Sequence, residues 1–346
     1  MCCVIAGDNM SQRAPDVALE CVVHCVANHD TCDTLKLSVY MIIRSQTQKQ
    51  LELIDKQIGD KGAQQLADVI RKTTTLTQLD LSKNRISDQG VQYLTDALLN
   101  NKVNLILTSF PLHIPRLSHQ TIITLDLAAN NITAQGVQYV ANVCRNNKIL
   151  TNINLSNNQI GDNGARHLAD VIPYNTTLTT LKLENNQIGD HGVENLANAL
   201  RHDMTLTTLS LASNNIEAQG ARHLAQALSN NTTLNNINLR FNKIRDQGAH
   251  TLAYALMNYM DVGVATLDLG YNRIGDRGAH DLADVLQFDS TLTKLEITGN
   301  PITISAAKYM SQTLRHKLTL VELDLNDNDI RDQGLKYLAG AFRKSK

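Results

Sequence analysis

Hydrophobic residues along this chain follow one pattern that returns ten times between residue 51 and the C-terminus. In each copy two leucines or isoleucines flank a polar residue, as Leu79 and Leu81 do; an Ile follows in all ten copies and an Asn in nine. Alternation with a period of two is typical of a strand with one buried face. Apolar residues then recur at helical spacing, for example Ala165, Leu168 and Ile172. Each copy therefore predicts a short strand followed by a helix.

The copies are spaced almost evenly. Seven of the nine steps are 28 residues long, one is 30 and one is 46. One strand and one helix per step predict a parallel sheet covered by a layer of helices. Because helices are wider than the roughly 4.8 Å between strands, the stack must bend. The predicted fold class is α/β, a solenoid (horseshoe) with a parallel β-sheet on the concave face and helices on the convex face.

An Asn recurs three residues after the second apolar strand residue, and Lys56 replaces it in the first copy. A carboxamide both donates and accepts hydrogen bonds. We therefore expect these side chains, stacked at one place per copy, to satisfy loop backbone groups that would otherwise be buried without partners. This structural set is Asn84, Asn130, Asn158, Asn186, Asn214, Asn242, Asn272, Asn300 and Asn328.

The helix start is marked by two more positions. Where a side-chain N-cap belongs, seven copies carry an Asp: Asp60, Asp88, Asp162, Asp190, Asp246, Asp276 and Asp332. A Gly follows two residues later in nine copies. A Gly inside a helix costs up to about 1 kcal/mol relative to Ala. Its repetition therefore predicts close backbone approach between neighbouring layers.

These motifs resemble the ribonuclease-inhibitor-type leucine-rich repeats, which also form the C-terminal part of NOD-like receptors and occur in Ran GTPase-activating proteins. The resemblance covers residues 51–346. It implies a non-catalytic protein-protein interaction module, with ligand recognition like that of innate-immune sensors, or scaffolding. Many unrelated functions use this scaffold, so two alternatives stay open: a regulator of a small GTPase, as the Ran activators are, and a ribonuclease-inhibitor-like inhibitor.

Composition and missing motifs exclude several other classes of function. The net charge of −1 argues against a nucleic-acid partner. No apolar run approaches the roughly 18 residues that span a bilayer, so we expect no membrane segment. The chain has no G-x-x-x-x-G-K-[ST], H-E-x-x-H or G-x-S-x-G motif. We expect no enzyme activity, no catalytic residue, no cofactor and no bound metal.

Residues 1–50 do not fit the repeat, and we expect them to form an irregular N-terminal segment or a cap over the first layer. Five of the six cysteines fall within the first 32 residues, unlike the spread typical of a disulfide-bonded secreted protein. This favours a reduced, cytoplasmic location. A zinc site is the alternative for this segment, but its spacing lacks paired C-x-x-C units. The candidate ligands are Cys21, His24, Cys25, His29 and Cys32.

The 46-residue step contains an insert at 103–120. Removing these 18 residues restores the 28-residue spacing. Three interpretations stay open: a passive loop at a helix–strand junction, a functional loop, and a retained short intron. The intron hypothesis rests on a clean in-frame insert that begins with a Val and ends with a Gln, whose codons match splice-site sequences.

The polar residue between the two strand leucines should face outward on the concave side. Six of these ten residues are acidic and one is basic, which favours a protein partner with a basic surface. On the loop after the strand, most residues are small or polar, and Arg240, Phe241 and Tyr271 are the exceptions. Exposed aromatics beside an Arg are typical hot-spot residues. The predicted binding residues on the concave face are Lys182, Asn238, Arg240, Phe241, Asp268, Tyr271 and Glu296.

Overall fold

The computed structural model describes residues 49–73, 75–100, 121–258, 263–288, 291–314 and 320–342. Apart from residues 49 and 50, the expected N-terminal cap and its zinc alternative lie outside the described residues. The insert at 103–120 lies outside them too.

One parallel sheet contains ten strands in chain order. Equivalent leucines are paired between neighbours, for example Leu51 with Leu79 and Leu79 with Leu125. The strands are β1 (Gln50–Glu52), β2 (Gln78–Asp80), β3 (Thr124–Asp126), β4 (Asn152–Asn154), β5 (Thr180–Lys182), β6 (Thr208–Ser210), β7 (Asn236–Asn238), β8 (Thr266–Asp268), β9 (Lys294–Glu296) and β10 (Glu322–Asp324).

Each strand leads into one α-helix, and helices of successive repeats pack against each other. The helices are α1 (Gly59–Ile70), α2 (Asp88–Leu99), α3 (Ala134–Asn146), α4 (Gly161–Ala169), α5 (Asp190–Leu200), α6 (Ala218–Leu228), α7 (Arg245–Asn258), α8 (Asp276–Phe288), α9 (Ile304–Thr313) and α10 (Arg331–Phe342). A short 3₁₀ helix at Ile172–Tyr174 follows α4. The predicted α/β solenoid is confirmed, with the sheet on one face and the helices on the other.

A single aliphatic core runs the length of the stack between sheet and helices. It is built from the strand leucines and isoleucines, the Ile that precedes each helix, and the inward Leu, Ala and Val residues of the helices. In the second repeat, for example, Leu79, Leu81 and Ile86 are at most 1% exposed. The pattern that predicts the strands therefore also supplies the layer that holds them together.

The recurrent Asn side chains form a ladder inside the loops that follow the strands. Asn130 is representative: its Oδ1 accepts from the backbone N–H of Asn84 at 3.0 Å and of Ile86 at 2.9 Å in the preceding repeat. Its Nδ2 donates to the carbonyls of Leu81 and Leu127, each at 3.0 Å. Each carboxamide thus links two layers through backbone groups that water does not reach.

The recurrent Asp does not cap its own helix, so that prediction was wrong. Asp60 is the second residue of α1, already past the N-cap position. Its carboxylate reaches into the next repeat, where it accepts from the N–H of Ser87 at 2.8 Å and of Gly90 at 3.0 Å. Five more bind the next repeat in the same way, namely Asp88, Asp162, Asp190, Asp246 and Asp276. The Asp therefore caps the neighbouring helix.

Where this Asp is absent, the next loop changes its backbone. In three repeats Ala134, Ala218 or Ile304 stands at the position of the Asp. One loop residue of the next repeat, Gly161, Arg245 or Arg331 respectively, then has a positive φ, between 55° and 58°. Lacking a carboxylate behind it, the N–H of Arg245 donates forward to the Asn272 carbonyl at 3.0 Å. The side chain of one repeat thus sets the backbone conformation of the next.

Gly90 shows why a glycine stands two residues after the recurrent Asp. A Cβ at Gly90 would lie 2.5 Å from Oδ1 of Asp60 and 2.6 Å from a methyl of Ile86. Contacts under 3.0 Å force a neighbour to move. This agrees with the predicted close approach of neighbouring layers.

A second polar ladder lies at the outer turns, at a position that the sequence did not single out. In Asn231 the Oδ1 accepts from the N–H of Leu234 at 2.8 Å, and the Nδ2 donates to the Leu200 carbonyl at 2.7 Å. Buried side chains at the equivalent position are Asn147, Asn175 and Asp203. The signal available in the sequence was the polar turn that recurs between helix and strand, such as Asn230–Thr233.

Candidate protein-binding surface

Three positions of each repeat lie on the concave side: the first and third residues of the strand and the residue two places beyond it. Over the ten repeats these positions hold eight carboxylates and three cations. The face therefore carries an excess of five negative charges, whereas the whole chain has a net charge of −1. This confined excess is the main electrostatic feature of the surface.

The N-terminal end of the face contributes three carboxylates on adjacent strands. Glu52 is exposed, and Asp80 and Asp126 are half-buried. Asp126 accepts from the N–H of Ala128 at 2.9 Å and from Nδ2 of Asn154 at 2.8 Å. Burial raises the pKa of Asp126, these two hydrogen bonds lower it, and the charge of Asp80 raises it further. No cation lies within 4.0 Å of these carboxylates in the described residues.

Asp268 does not face solvent as the sequence predicted, because it is only 8% exposed. Its Oδ1 accepts from the N–H of Gly270 at 2.8 Å and lies 3.9 Å from a guanidinium nitrogen of Arg240. Burial raises the pKa of Asp268, and the hydrogen bond and Arg240 lower it. Through its contact with Arg240, Asp268 helps to position the guanidinium of that side chain.

Arg240, Phe241 and Tyr271 form one compact cluster. Phe241 and Tyr271 hold equivalent places in adjacent repeats, and Arg240 directly precedes Phe241. The two rings are stacked, with centroids 4.5 Å apart and an angle of 16° between their planes. The guanidinium carbon of Arg240 lies 5.1 Å from the Phe241 centroid and 4.7 Å from that of Tyr271. Phe241 remains 48% exposed. We call these three residues the aromatic–arginine platform.

Two glycines of the following repeats make room for this platform. A Cβ on Gly270 would lie 2.7 Å from a guanidinium nitrogen of Arg240, and a Cβ on Gly299 would collide with the Tyr271 ring. The Tyr271 hydroxyl donates to Oδ2 of Asp327 at 2.6 Å, two repeats away. This hydrogen bond is the main cause that raises the pKa of Tyr271. Sequence reasoning missed Gly270, Gly299 and Asp327, although Gly270 stands at the position of Arg240 and Gly299 at the position of Tyr271 in their repeats.

The other predicted binding residues are not part of the platform itself. Lys182 is exposed on β5. Asn238 is half-buried, and its Oδ1 accepts from the N–H of Arg240 at 3.0 Å, which supports the loop that carries the platform. Glu296 pairs with Lys294 at 2.8 Å, and Lys294 also contacts Glu322 at 3.1 Å. These two carboxylates raise the pKa of Lys294, which fixes its charge.

This surface offers two stacked rings, paired charges and amides that bind the backbone. Over the described ranges, no three His, Cys, Asp or Glu side chains are arranged to hold a metal ion. Among the same residues, no helix is both long and apolar enough to cross a bilayer.

The family described as "Leucine Rich repeat" matches the chain in eight segments, which together cover more than half of it. These segments are residues 72–94, 118–141, 146–169, 174–197, 202–225, 230–253, 265–283 and 316–339. No curated protein matches the chain in sequence.

Two solved structures are similar at low identity. Leiomodin-1 actin-binding site 2 is 19% identical with a TM-score of 0.35, over 43% of this chain and 86% of that one. An internalin (inlF) from Listeria monocytogenes str. 4b F2365 is 18% identical with a TM-score of 0.41, over 94% of this chain and 92% of that one.

Proposed function

Because the chain belongs to the leucine-rich-repeat family, we propose that it is a non-catalytic interaction module that binds a protein partner on the concave face of its sheet. The observation that carries this proposal is the aromatic–arginine platform. Phe241 and Tyr271 are held rigidly by stacking and by Arg240, on a face whose other residues are mostly small or polar. Rigid aromatic anchors beside an Arg concentrate binding energy at little cost in side-chain entropy.

The charge of the concave face selects the kind of partner. Its eight carboxylates and three cations favour a partner with a basic surface. Complementary charge of this kind accelerates encounter and excludes wrong partners more than it adds affinity. We place the protein in the cytoplasm, on the clustering of five cysteines before residue 33.

Within this function, ligand recognition like that of innate-immune sensors, or scaffolding, is our first choice. It rests on the resemblance of the repeats to the ribonuclease-inhibitor type. Regulation of a small GTPase and ribonuclease-inhibitor-like inhibition are the alternatives. Stimulated GTP hydrolysis by a panel of small GTPases, or inhibition of a ribonuclease by the purified chain, would replace our first choice by one of these.

The test removes both rings of the platform. The double substitution Phe241→Ala with Tyr271→Ala should lower partner affinity about thirtyfold, because hot-spot residues contribute roughly 2 kcal/mol or more. The measurement is capture from native lysate by the full-length chain, followed by titration of the captured protein. Thermal unfolding followed by circular dichroism checks that the stack remains folded.

The matched control is Tyr174→Ala with Tyr254→Ala, which removes two exposed tyrosines outside the concave face. It should leave partner binding unchanged. Equal affinity of the wild type and the Phe241/Tyr271 variant would remove the platform, and with it the proposed binding site.

A further inference from the structure

The aromatic stack ends abruptly on one side. Asn185, Ser213, Phe241 and Tyr271 occupy one position in four successive repeats, and all have a positive φ, between 50° and 56°. Tyr271 covers one face of the Phe241 ring. The opposite face is directed back along the stack, toward the repeat that carries Ser213. Because Ser213 has a small side chain, this face of Phe241 has no ring to stack on.

Over the one repeat between Asn185 and Phe241 the column therefore holds only the small side chain of Ser213, and we call this space the slot. Neighbouring strands are about 4.8 Å apart, so two repeats span roughly 10 Å, enough for one flat group between these side chains. Of the two residues in the repeat between, Ala212 is buried and Ser213 is exposed. Arg240 does not fill the slot, since its guanidinium leans the other way, over Gly270.

One carboxylate borders this slot. Glu184 occupies the position next to Ala212 in the preceding repeat, and its Oε1 accepts from the Ser210 hydroxyl at 2.8 Å. That bond joins the carboxylate to the repeat that carries Ser213. In the part of the chain that the structure describes, no cation lies within 4.0 Å of Glu184, the exposed Lys182 of the same strand included.

We propose that this slot receives an arginine side chain of the partner, stacked on the free face of Phe241 and paired with Glu184. The inference rests on the proposed function and names the chemistry of its partner. A guanidinium is planar, so it stacks on an aromatic face and also binds a carboxylate through two parallel N–H groups. A lysine ammonium has charge but no plane, and an aromatic ring has a plane but no charge for Glu184.

The experiment uses the four phenylalanines of the chain as probes. The full-length protein is labelled with 4-fluorophenylalanine, and Phe241→Leu assigns the fluorine resonance of Phe241. N-acetyl-arginine amide is titrated and compared with the matching lysine and citrulline amides. The arginine amide should shift the Phe241 resonance saturably, with an affinity at least tenfold higher than that of the other two.

Two substitutions separate the two contacts. Ser213→Phe adds a ring at a position that already tolerates Phe in the next repeat, so it should fill the slot and abolish the arginine response. Glu184→Gln should weaken arginine about tenfold and bring it close to citrulline. Glu194→Gln, which neutralises a carboxylate on α5 outside the concave face, is the control and should change nothing.

An equal response to lysine or citrulline amide, no response to any amide, or a wild-type response in Glu184→Gln overturns the arginine assignment. This outcome is distinct from failure of the proposed function. If the Phe241/Tyr271 double variant still loses the captured partner, the platform binds protein through other chemistry and only this inference is lost.

Discussion

At the scale of single residues, the stack depends on buried polar side chains that both donate and accept. Asn suits this role because its Oδ1 takes backbone N–H groups while its Nδ2 donates to a carbonyl of the preceding layer. Asp203 departs from this rule at the outer turns. It accepts from the N–H of Leu206 at 2.8 Å, as Asn231 does from Leu234. An ionised carboxylate cannot make the donor half of the pattern.

We predict that Asp203→Asn stabilises the protein by about 1 kcal/mol at pH 7, the typical contribution of one hydrogen bond. Burial raises the pKa of Asp203 above its ordinary value of about 3.9. The folded state therefore binds the proton of Asp203 more strongly than the unfolded state does. The contribution of Asp203 to stability is complete below pH 4 and is lost as pH rises through the folded pKa.

Urea unfolding at several pH values checks this prediction. The advantage of the Asn variant should be smallest in acid and should grow as pH rises to 7. A stability difference that does not change with pH would show that protonation of Asp203 plays no part.

At the scale of elements, six of the described helix starts are completed by an Asp of the repeat before. Asp246 accepts from the N–H of Gly275 at 2.7 Å and of Gly278 at 3.1 Å, both in the next repeat. Where Ala218 stands in place of the Asp, the following loop adopts a positive φ at Arg245. At these six starts the Asp makes capping a contact between layers, which couples their stabilities, although Ser87, Thr133 and Thr303 also cap their own helices.

We predict that Asp246→Ala lowers the free energy of unfolding by about 1 to 2 kcal/mol, the usual cost of removing a cap. Asp332→Ala is the matched control. Asp332 is exposed in the last described repeat, and no described layer follows whose backbone N–H groups could donate to its carboxylate. Its loss should change stability by less than about 0.5 kcal/mol. Equal losses in the two variants, measured by urea unfolding, would assign the effect to each residue's own helix.

At the scale of the whole molecule, each layer contacts only its neighbours, so stability is distributed along one dimension. The interior is aliphatic throughout the described repeats, and the order of the strands is the order of the chain. An inner layer has two covered faces, whereas the last described layer has one. The same substitution should therefore have different consequences in the middle and at the end.

We predict that Leu196→Ala in α5 costs about 3 kcal/mol, because Leu196 is fully buried and the loss leaves a cavity. The layers on both sides should then exchange their amide hydrogens faster. Leu338→Ala in α10 should cost less, with faster exchange confined to the last repeat. Hydrogen exchange followed by mass spectrometry gives this map, and a global response to both variants would contradict the one-dimensional description.

Much of the candidate surface could be predicted from the sequence, because repeat positions translate directly into columns. That argument placed Arg240, Phe241 and Tyr271 side by side. It could not show that Asp268 is buried, because a column gives the direction of a side chain and not how closely its neighbours pack around it. It also missed Asp327, since Tyr271 reaches this residue only by passing over Gly299.

By itself the sequence determined the repeat length, the strand and helix of each layer, the parallel order of the layers and the shared aliphatic interior. These follow from hydrophobic periodicity, which acts within one repeat and is the same in every copy. Tertiary structure alone decided which layer each polar side chain serves. Asp60 caps the helix of the next repeat, and Asn231 closes an outer turn although it also begins an N-x-[ST] sequon. The physical reason is that hydrogen bonds require distance and direction between layers, and a linear pattern contains neither.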